Sequence, residues 1–416
     1  MNREEGEGVN IIRFGSKKLE QLYNRSINRQ KHVIEKVKRI IDDVRLLGDE
    51  ALLKYTRKFD GIKLPMRQLK VSQIEISGAY QNISPNFIPS LKVIIENVNR
   101  FYRKTLKKSW RINDREGAVL GENYTPLERV GIYIPAGTAP LVSTVYMTVL
   151  PARLAGVKKI VLISPPDKHG AINPHILVVA DLLKVDEIYR VGGAQGIAAL
   201  AYGTKTIPRV DKIVGPGNVY VSEAKRQVFG IVDIDMVAGP TELVIIANRL
   251  SDPKFIIADL KAQSEHSKGL AILITNSKSL AKEVKMKLTG ENGYIILTKN
   301  LEQAVDISNK IAPEHLEILV NNPQRLLKCV KNAGAVFLGP YSPTAVGDYV
   351  AGPSHVLPTH GTARFFSGLS VTDFMKSIHV ISYSRKALEK AREPLEKIAT
   401  IEGLTKHLDS VKARFL

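Results

Sequence analysis

The run Lys159–Pro166, with the sequence KIVLISPP, decides the fold class. It is a continuous apolar run of strand length, and it ends in a Pro-Pro turn signal. Strands that are apolar on both faces are typical of parallel sheets covered by helices on both sides. The helical patterns of residues 143–155 and 176–183 lie on either side of this run. This part of the chain therefore predicts a βαβ unit.

The same alternation extends through two blocks of similar length, residues 129–240 and 241–340. The predicted strands, several of which run into a Gly/Pro turn, are 130–138, 159–166, 187–193, 212–218, 234–240, 243–247, 270–275, 294–298, 316–320 and 335–339. The predicted helices between them are 143–155, 176–183, 194–203, 219–228, 253–266, 277–289, 300–311 and 323–331. Because the two blocks share one rhythm, we expect a duplicated α/β unit.

The residues outside these blocks have helical patterns. Helices are predicted at 9–25, 29–57, 73–110, 385–399 and 405–415, with a polar connection before Arg129. The predicted fold is therefore α/β, with two Rossmann-like parallel-sheet domains, N-terminal helices and a C-terminal helical arm. The predicted segments are 1–28 (N-terminal helices), 29–128 with 241–380 (a discontinuous first α/β domain), 129–240 (a second α/β domain) and 381–416 (the arm).

The composition is that of an ordinary soluble protein. The 416 residues are 44% apolar and 24% charged, and no run of about 18 apolar residues predicts a membrane helix. The polar start lacks a signal-peptide layout, so we expect a cytoplasmic protein. The lone Cys329 excludes an internal disulfide and a multi-cysteine zinc site. The net charge is +19, but the basic residues are spread out and lack interleaved aromatics, so we expect a basic surface and no nucleic-acid partner.

Residues 341–376 show neither a helical period nor a strand alternation. The stretch is too apolar to be disordered, and long irregular stretches inside compact domains are usually functional. It carries Asp348, His355 and His360. We therefore expect an ordered active-site segment.

Three other places bear candidate chemistry. In AQSEH, Gln263 and His266 have i, i+3 spacing on a predicted helix, which suits a metal site or simply an exposed polar face. In APEHLE, Glu314 and His315 precede a buried strand, as an acid–base pair or as two polar turn residues. IEGLTKH, residues 401–407, contains a glutamate and a histidine that also suit a polar loop.

Glycine turns follow several predicted strands, at residues 137–138, 192–196, 215–218 and 238–241. Such turns can line one edge of a sheet and bind a dinucleotide or a phosphate. The chain contains no GxGxxG fingerprint, however. Patterns alone therefore predict an α/β enzyme, with or without a metal.

Over nearly its whole length, from about Ile34 to His407, the chain resembles the histidinol dehydrogenase family. Motifs in family order carry the resemblance: RVGIYIPAG, GGAQGIAALAYGT, DKIVGPGN, DMVAGPTE, AQSEH, APEHLE, GDYVAGPSHVLPT and EGLTKH. The resemblance implies a four-electron, NAD-dependent oxidation of L-histidinol to L-histidine through L-histidinaldehyde, the last steps of histidine biosynthesis. It also implies one Zn²⁺ per subunit and a homodimer with shared active sites.

The resemblance assigns roles to residues of this chain. The zinc ligands would be Gln263, His266, Asp348 and His407, the last from the partner subunit's arm. Glu314 and His315 would form the proton-transfer pair. The NAD contacts would be Tyr133, Gln195 and Asn218, which makes residues 129–240 the NAD side and residues 241–380 the main metal side. The substrate contacts would be Thr241, Gln263, His266, His315, Asp348, Glu402 and His407.

Two positions depart from the family pattern. Thr241 stands where the family commonly has serine, and the hydroxyl survives. Ser354 stands where asparagine is frequent, which leaves a substrate role for the adjacent His355 open, while His360 is interpreted as structural.

The alternative function is a zinc-dependent hydrolase on an α/β scaffold, with Glu314 activating a water.

Overall fold

The computed structural model describes residues 9–25, 30–136, 140–266, 269–288 and 293–416. The chain divides into two compact units, of which unit 1 comprises residues 1–105 with 127–374 and unit 2 comprises residues 106–126 with 375–416. The glycine turn predicted at residues 137–138 lies outside the described residues, as do parts of the predicted N-terminal segment.

The first elements, as far as residue 126, are strands and helices in chain order: β1 (Asn10–Arg13), α1 (Lys17–Tyr23), α2 (Lys31–Leu47), α3 (Asp49–Phe59), α4 (Gln73–Ala79), α5 (Phe87–Tyr102), β2 (Trp110–Asn113) and β3 (Val119–Pro126). The predicted helix at 9–25 is wrong in its first half, because residues 10–13 form a parallel edge strand that buries Ile12. The predicted helix at 29–57 is divided at Gly48, whose φ of 56° is a left-handed value that glycine accepts readily.

The next block contains β4 (Arg129–Tyr133), α6 (Val142–Ala155), β5 (Lys159–Ser164), α7 (Pro174–Leu182), β6 (Glu187–Arg190), α8 (Gly193–Tyr202), β7 (Lys212–Val214), α9 (Val219–Val228) and β8 (Asp233–Ile234). Its strands form a parallel five-stranded sheet in the order β6-β5-β4-β7-β8. The last strand is shorter than predicted, because only residues 233–234 pair with β7.

The following block contains β9 (Glu242–Ala247), α10 (Pro253–Ser264), β10 (Leu270–Thr275), α11 (Lys278–Lys287), β11 (Gly293–Leu297), α12 (Leu301–Ile311), β12 (His315–Leu319), α13 (Pro323–Leu327), β13 (Ala335–Leu338) and α14 (Thr344–Tyr349). With β1 it forms a parallel six-stranded sheet in the order β1-β11-β10-β9-β12-β13. Apart from β1, both sheets have their strands in the sequence order third, second, first, fourth, fifth. Two parallel sheets confirm the predicted fold class, and a shared order is what a duplication produces.

The helices α2 and α3 pack against α8 and α9 over the five-stranded sheet. Their apolar residues Val37, Ile40, Val44 and Leu52 share one buried cluster with Ile197 and neighbouring side chains of that sheet. Residues 31–59 therefore pack on the 129–240 block. The predicted division into domains stays a prediction.

Unit 2 contains a sheet that the sequence did not predict. The strand β14 (Met375–Ser382) pairs antiparallel with β3, and β3 pairs antiparallel with β2. The helices α15 (Arg385–Ile401) and α16 (Thr405–Lys412) follow. The expected polar connection before Arg129 is thus partly a hairpin. Its first strand is short and exposed, and the third strand of the sheet comes from more than 200 residues away, so no local pattern marks the sheet.

Candidate active site

Polar residues gather at the amino edge of the six-stranded sheet in unit 1. Three neighbouring parallel strands begin there. Thr241 and Glu242 lie at the start of β9, and Glu314 and His315 lie at the start of β12. Gln263 and His266 lie shortly before the start of β10. In parallel sheets the starts of neighbouring strands meet at the same edge. The usual ligand edge of open α/β sheets is the opposite, carboxyl edge. The order of the strands therefore groups residues that lie more than 70 positions apart.

Glu314 and His315 are both fixed by one residue of the neighbouring strand. The Glu314 carboxylate accepts a hydrogen bond from the Glu242 backbone N–H, with Oε2 and N 3.0 Å apart. The His315 Nδ1 atom lies 3.2 Å from the Glu242 carbonyl oxygen and 3.7 Å from Glu314 Oε2. With the proton on Nδ1, the imidazole donates to that carbonyl, and Nε2 is left as the acceptor.

The free nitrogen of His315 faces a third group. Its Nε2 lies 3.6 Å from Asp348 Oδ1 and is buried without a hydrogen-bond partner. Burial by itself lowers the pKa of His315. The carboxylates of Glu314 and Asp348 together have a larger, opposite effect, so the pKa is raised to about 9. Burial also raises the pKa of Glu314 above its usual range. The site thus places two buried groups with raised pKa values beside a third carboxylate, an arrangement that suits proton transfer.

Asp348 is held on its backbone side by His355. The Nδ1 atom of His355 lies 3.0 Å from the Asp348 carbonyl oxygen, and its Nε2 lies 3.2 Å from the Thr144 hydroxyl of α6. Burial lowers the pKa of His355, so the ring is neutral and one nitrogen donates while the other accepts. These contacts give His355 a structural role in the segment that was predicted to be irregular. That segment begins with the short helix α14, which carries Asp348.

Gln263 and His266 lie at the carboxyl end of α10. The helix ends at Ser264, so the prediction that both residues share a helix face is corrected: His266 lies just beyond the end. Helix ends are where sequence patterns are least informative, because the last turn loses its hydrogen bonds. Gln263 is 5% exposed, and its Nε2 has no hydrogen-bond partner, whereas His266 is exposed. Hydrogen bonds and ion pairs of the described residues do not link them to Asp348.

The donor set fits a zinc ion in part within unit 1. An imidazole, a carboxylate and an amide oxygen are ligands that Zn²⁺ accepts. Among the described residues, no group of three or more His, Cys, Asp or Glu side chains is close enough to hold a metal. A set built on an amide and on a residue from another subunit is consistent with that result.

The predicted arm residues lie in unit 2. Glu402 caps the carboxyl end of α15, directly after its last residue, and His407 lies in the first turn of α16. Both side chains are exposed. They are therefore available to a partner chain.

The predicted NAD residues lie at the carboxyl edge of the five-stranded sheet. Tyr133 ends β4, Gln195 lies in the first turn of α8 after β6, and Asn218 caps α9 after β7. The Asn218 side chain accepts hydrogen bonds from the backbone N–H groups of residues 220 and 221. The Gln195 Oε1 atom is buried without a partner. This edge is the usual ligand edge of such sheets.

A glycine makes the NAD-side turn possible. Gly215 has a φ of 118°, and a Cβ atom there would lie 2.2 Å from the Tyr133 carbonyl oxygen. Its N–H donates to Asp235, and its carbonyl accepts from the buried Lys225 amine. The turn that follows β7 is therefore fixed against β4.

Three residues of the site region were missed by the sequence analysis. Glu242, which fixes both Glu314 and His315, is 2% exposed and pairs with Arg25 at 2.9 Å. Burial raises the pKa of Glu242 to about 7, against the opposing effect of Arg25. Glu317 and Asp259 form a carboxyl pair. For Glu317 the available signal was a charged residue between two apolar residues, Leu316 and Ile318, of a predicted strand.

The fold and this site define an α/β enzyme with a buried glutamate–histidine pair at the amino edge of one of its two parallel sheets. The family model described as histidinol dehydrogenase matches residues 23–415. A protein from Clostridium acetobutylicum named histidinol dehydrogenase is 47% identical, with 98% of this chain and 99% of that protein covered. A namesake from Listeria innocua is also 47% identical, with coverage of 94% and 95%.

A solved structure agrees with these matches. The crystal structure of histidinol dehydrogenase from Elizabethkingia anophelis has a TM-score of 0.93 at 34% identity, covering 99% of both chains. The chain therefore belongs to the histidinol dehydrogenase family, whose members are NAD-dependent oxidoreductases that use Zn²⁺. Within the residues that the structure describes, no helix is both long and apolar enough to span a bilayer.

Proposed function

We propose that this chain oxidises L-histidinol to L-histidine through L-histidinaldehyde, as a four-electron reaction that reduces NAD. The observation that carries the proposal is the position of His315, between the carboxylates of Glu314 and Asp348. An alcohol oxidation needs a group that takes the hydroxyl proton, and the oxidation of the hydrated aldehyde needs a group that takes a proton from water. Two adjacent groups that exchange a proton can serve both steps.

The positions of His315 and Glu314 give each residue a separate proposed role. His315 presents Nε2 to the substrate side and in its neutral form takes the hydroxyl proton there, while its Nδ1–H is fixed by the Glu242 carbonyl. Glu314, next to Nδ1, balances the positive charge of the ring when the ring is protonated. It also serves as the base that takes a proton from water. Burial excludes bulk water from both groups, since each is less than 10% exposed. Such exclusion strengthens every charge interaction with the substrate.

The metal would be held by Gln263, His266 and Asp348 of one subunit and by the arm residue His407 of the other. Bound there, zinc supplies orientation and polarisation and no redox change. The same side chains, together with Thr241, His315 and Glu402, would contact the substrate. Thr241 suits this role because its hydroxyl already hydrogen-bonds the Glu314 carboxylate.

The cofactor NAD would bind at the carboxyl edge of the five-stranded sheet, against Tyr133, Gln195 and Asn218. The amino end of α9 directly follows the turn that Gly215 allows. The partial positive charge at the amino end of a helix favours a phosphate group. We accordingly propose that residues 129–240 form the NAD side and that residues 241–380 carry most of the metal site.

A homodimer with shared sites is the proposed assembly. One face of the unit 2 sheet carries Ile112, Leu120 and Ile381 in a cross-strand row, and these side chains are 58%, 37% and 72% exposed. Exposed apolar patches of this kind usually mark an interface. The exposed Glu402 and His407 belong to the same unit. A second copy covering this unit would receive both residues in its own site, and the cytoplasm is the proposed location.

The test is the appearance of NADH absorbance when zinc-loaded protein receives L-histidinol and NAD. We expect NADH formation, and we expect a strong chelator to abolish it and added zinc to restore it. No NADH from a folded, zinc-loaded dimer would overturn the proposal. Turnover of an ester or amide without NAD would instead favour the hydrolase alternative.

A further inference from the structure

Glu317 is a buried carboxyl group that the proposed mechanism does not use. It lies in the middle of β12, two residues after His315 and on the same face of the strand, and it is 0% exposed. Burying a carboxyl group is costly unless hydrogen bonds satisfy it. The partners of Glu317 therefore indicate what the group does.

One partner is the start of α14. The Glu317 Oε1 atom accepts hydrogen bonds from the Thr344 backbone N–H at 2.8 Å and from the Thr344 hydroxyl at 2.7 Å. Thr344 is the first residue of α14, and Asp348 follows one helical turn later. The carboxyl group thus fixes the beginning of the helix that carries a proposed zinc ligand.

The other partner is α10. The Glu317 carboxyl group shares a hydrogen bond with the Asp259 side chain. Two carboxyl groups can share such a bond only when one of them is protonated, and Glu317 Oε2 otherwise has no partner. Burial, with the Asp259 charge, raises the pKa of Glu317 to about 8, and burial raises the pKa of Asp259 as well, so the pair shares one proton. Asp259 lies one turn before Gln263, on the same side of α10.

We propose that Glu317 is a positioning residue that ties the two helices bearing Gln263 and Asp348 to one point on β12. The tie would set the spacing between these proposed ligands before the metal arrives. This inference rests on the proposed zinc site. Groups that orient metal ligands in other proteins change the metal affinity by about 10- to 100-fold when they are removed.

The test compares zinc affinities of purified dimers by competition with a chromophoric chelator. Glu317→Gln keeps an oxygen for Thr344 and gains an N–H group for Asp259, so we expect an affinity within about threefold of wild type. Glu317→Ala and Asp259→Ala each break the tie, and we expect each to weaken zinc binding about 10- to 100-fold. Ile318→Val is the matched control, because it alters the opposite, apolar face of the same strand.

A double variant distinguishes a specific link between Glu317 and Asp259 from a general loss of structure. If Glu317 acts through Asp259, adding Asp259→Ala to Glu317→Ala should cost much less affinity than Asp259→Ala alone. Should Glu317→Ala fail to fold, Asp259→Ala decides, since Asp259 is only partly buried. Zinc affinity unchanged in Asp259→Ala, or lowered equally in Ile318→Val, would overturn the positioning role.

The same zinc-affinity measurement on His266→Ala tests the proposed assignment of the zinc ligands. Loss of zinc in His266→Ala, with wild-type affinity in both tie variants, would refute only the positioning role. Wild-type zinc affinity in His266→Ala would instead refute the proposed metal site.

Discussion

The Glu314 carboxylate accepts its hydrogen bond from the backbone N–H of Glu242, and the carbonyl of the same Glu242 contacts His315. The acid–base pair is thereby fixed to the main chain of the neighbouring strand. A main-chain contact survives any substitution that leaves the two strands paired. The Glu242 side chain matters in another way, because it carries a buried charge that Arg25 neutralises.

Replacing Glu314 by glutamine keeps the shape and an oxygen for the Glu242 N–H but removes the base. We expect the kcat for histidinol oxidation to fall about 10²- to 10⁴-fold, the usual contribution of a general acid or base. Zinc content and thermal stability should remain close to wild type, which separates loss of chemistry from loss of structure. A variant with near wild-type kcat would contradict the assigned role of Glu314.

Removing Arg25 should destabilise the protein strongly. Arg25→Ala leaves the buried Glu242 carboxyl group without its cation, in a site where the two side chains are 12% and 3% exposed. Breaking a buried pair in this way typically costs about 3–5 kcal/mol of unfolding free energy. Chemical denaturation followed by circular dichroism measures it.

The matched control for that loss is Arg325→Ala. Arg325 also pairs with a glutamate, Glu302, but these side chains are 76% and 55% exposed. Exposed pairs contribute about 0–1 kcal/mol. Equal losses in the two variants would show that the Glu242 pair has no special weight.

The stability of the protein should depend on pH through Glu317. The pKa of this group is raised to about 8 in the folded chain, while an unperturbed glutamate titrates near 4.5. Between these two values the folded state holds a proton that the unfolded state has lost. The contribution of Glu317 to stability is therefore fully present below about pH 4.5, falls as the pH rises toward 8, and is constant above it.

The slope of the unfolding free energy against pH shows whether Glu317 is the group that takes up the proton. One proton taken up on folding changes the unfolding free energy by about 1.4 kcal/mol per pH unit. Glu317→Gln has no proton to lose, so its denaturation midpoint between pH 5 and 8 should fall less steeply than that of the wild type. Identical slopes in both proteins would mean that Glu317 is ionised in the folded state.

Mixed dimers test the shared site. His407→Ala and Glu314→Ala dimers should each be inactive, but if His407 serves the partner's site, a mixed dimer has one intact site and one doubly altered site. Random reassortment of equal amounts makes about half of the dimers mixed, so about a quarter of wild-type activity should return. Verified mixed dimers without activity would place His407 in the site of its own subunit.

The sequence predicted the two parallel sheets because their strands are short apolar runs between helical patterns, as in KIVLISPP at residues 159–166. It did not predict the strand Asn10–Arg13 or the antiparallel sheet of unit 2, because both depend on pairing with residues hundreds of positions away. Local patterns carry no information on such pairing.

The active-site residues were found by motif and resemblance, but their arrangement was not. The amino ends of β9, β10 and β12 become neighbours only through the strand order, which reverses at β9. Glu242 and Glu317 were missed because a single glutamate in an apolar run looks like an exposed strand position. Their roles follow from burial, which a sequence does not display.

The most direct test of the account is the ratio of NADH formed to L-histidinol consumed by the zinc-loaded dimer, with the product identified by chromatography. Each NAD accepts one hydride, so oxidation of the alcohol through the aldehyde to the acid predicts two NADH per L-histidinol and L-histidine as the only product. A ratio of one, with the aldehyde released, would contradict the assignment of Glu314 and His315 to both half-reactions.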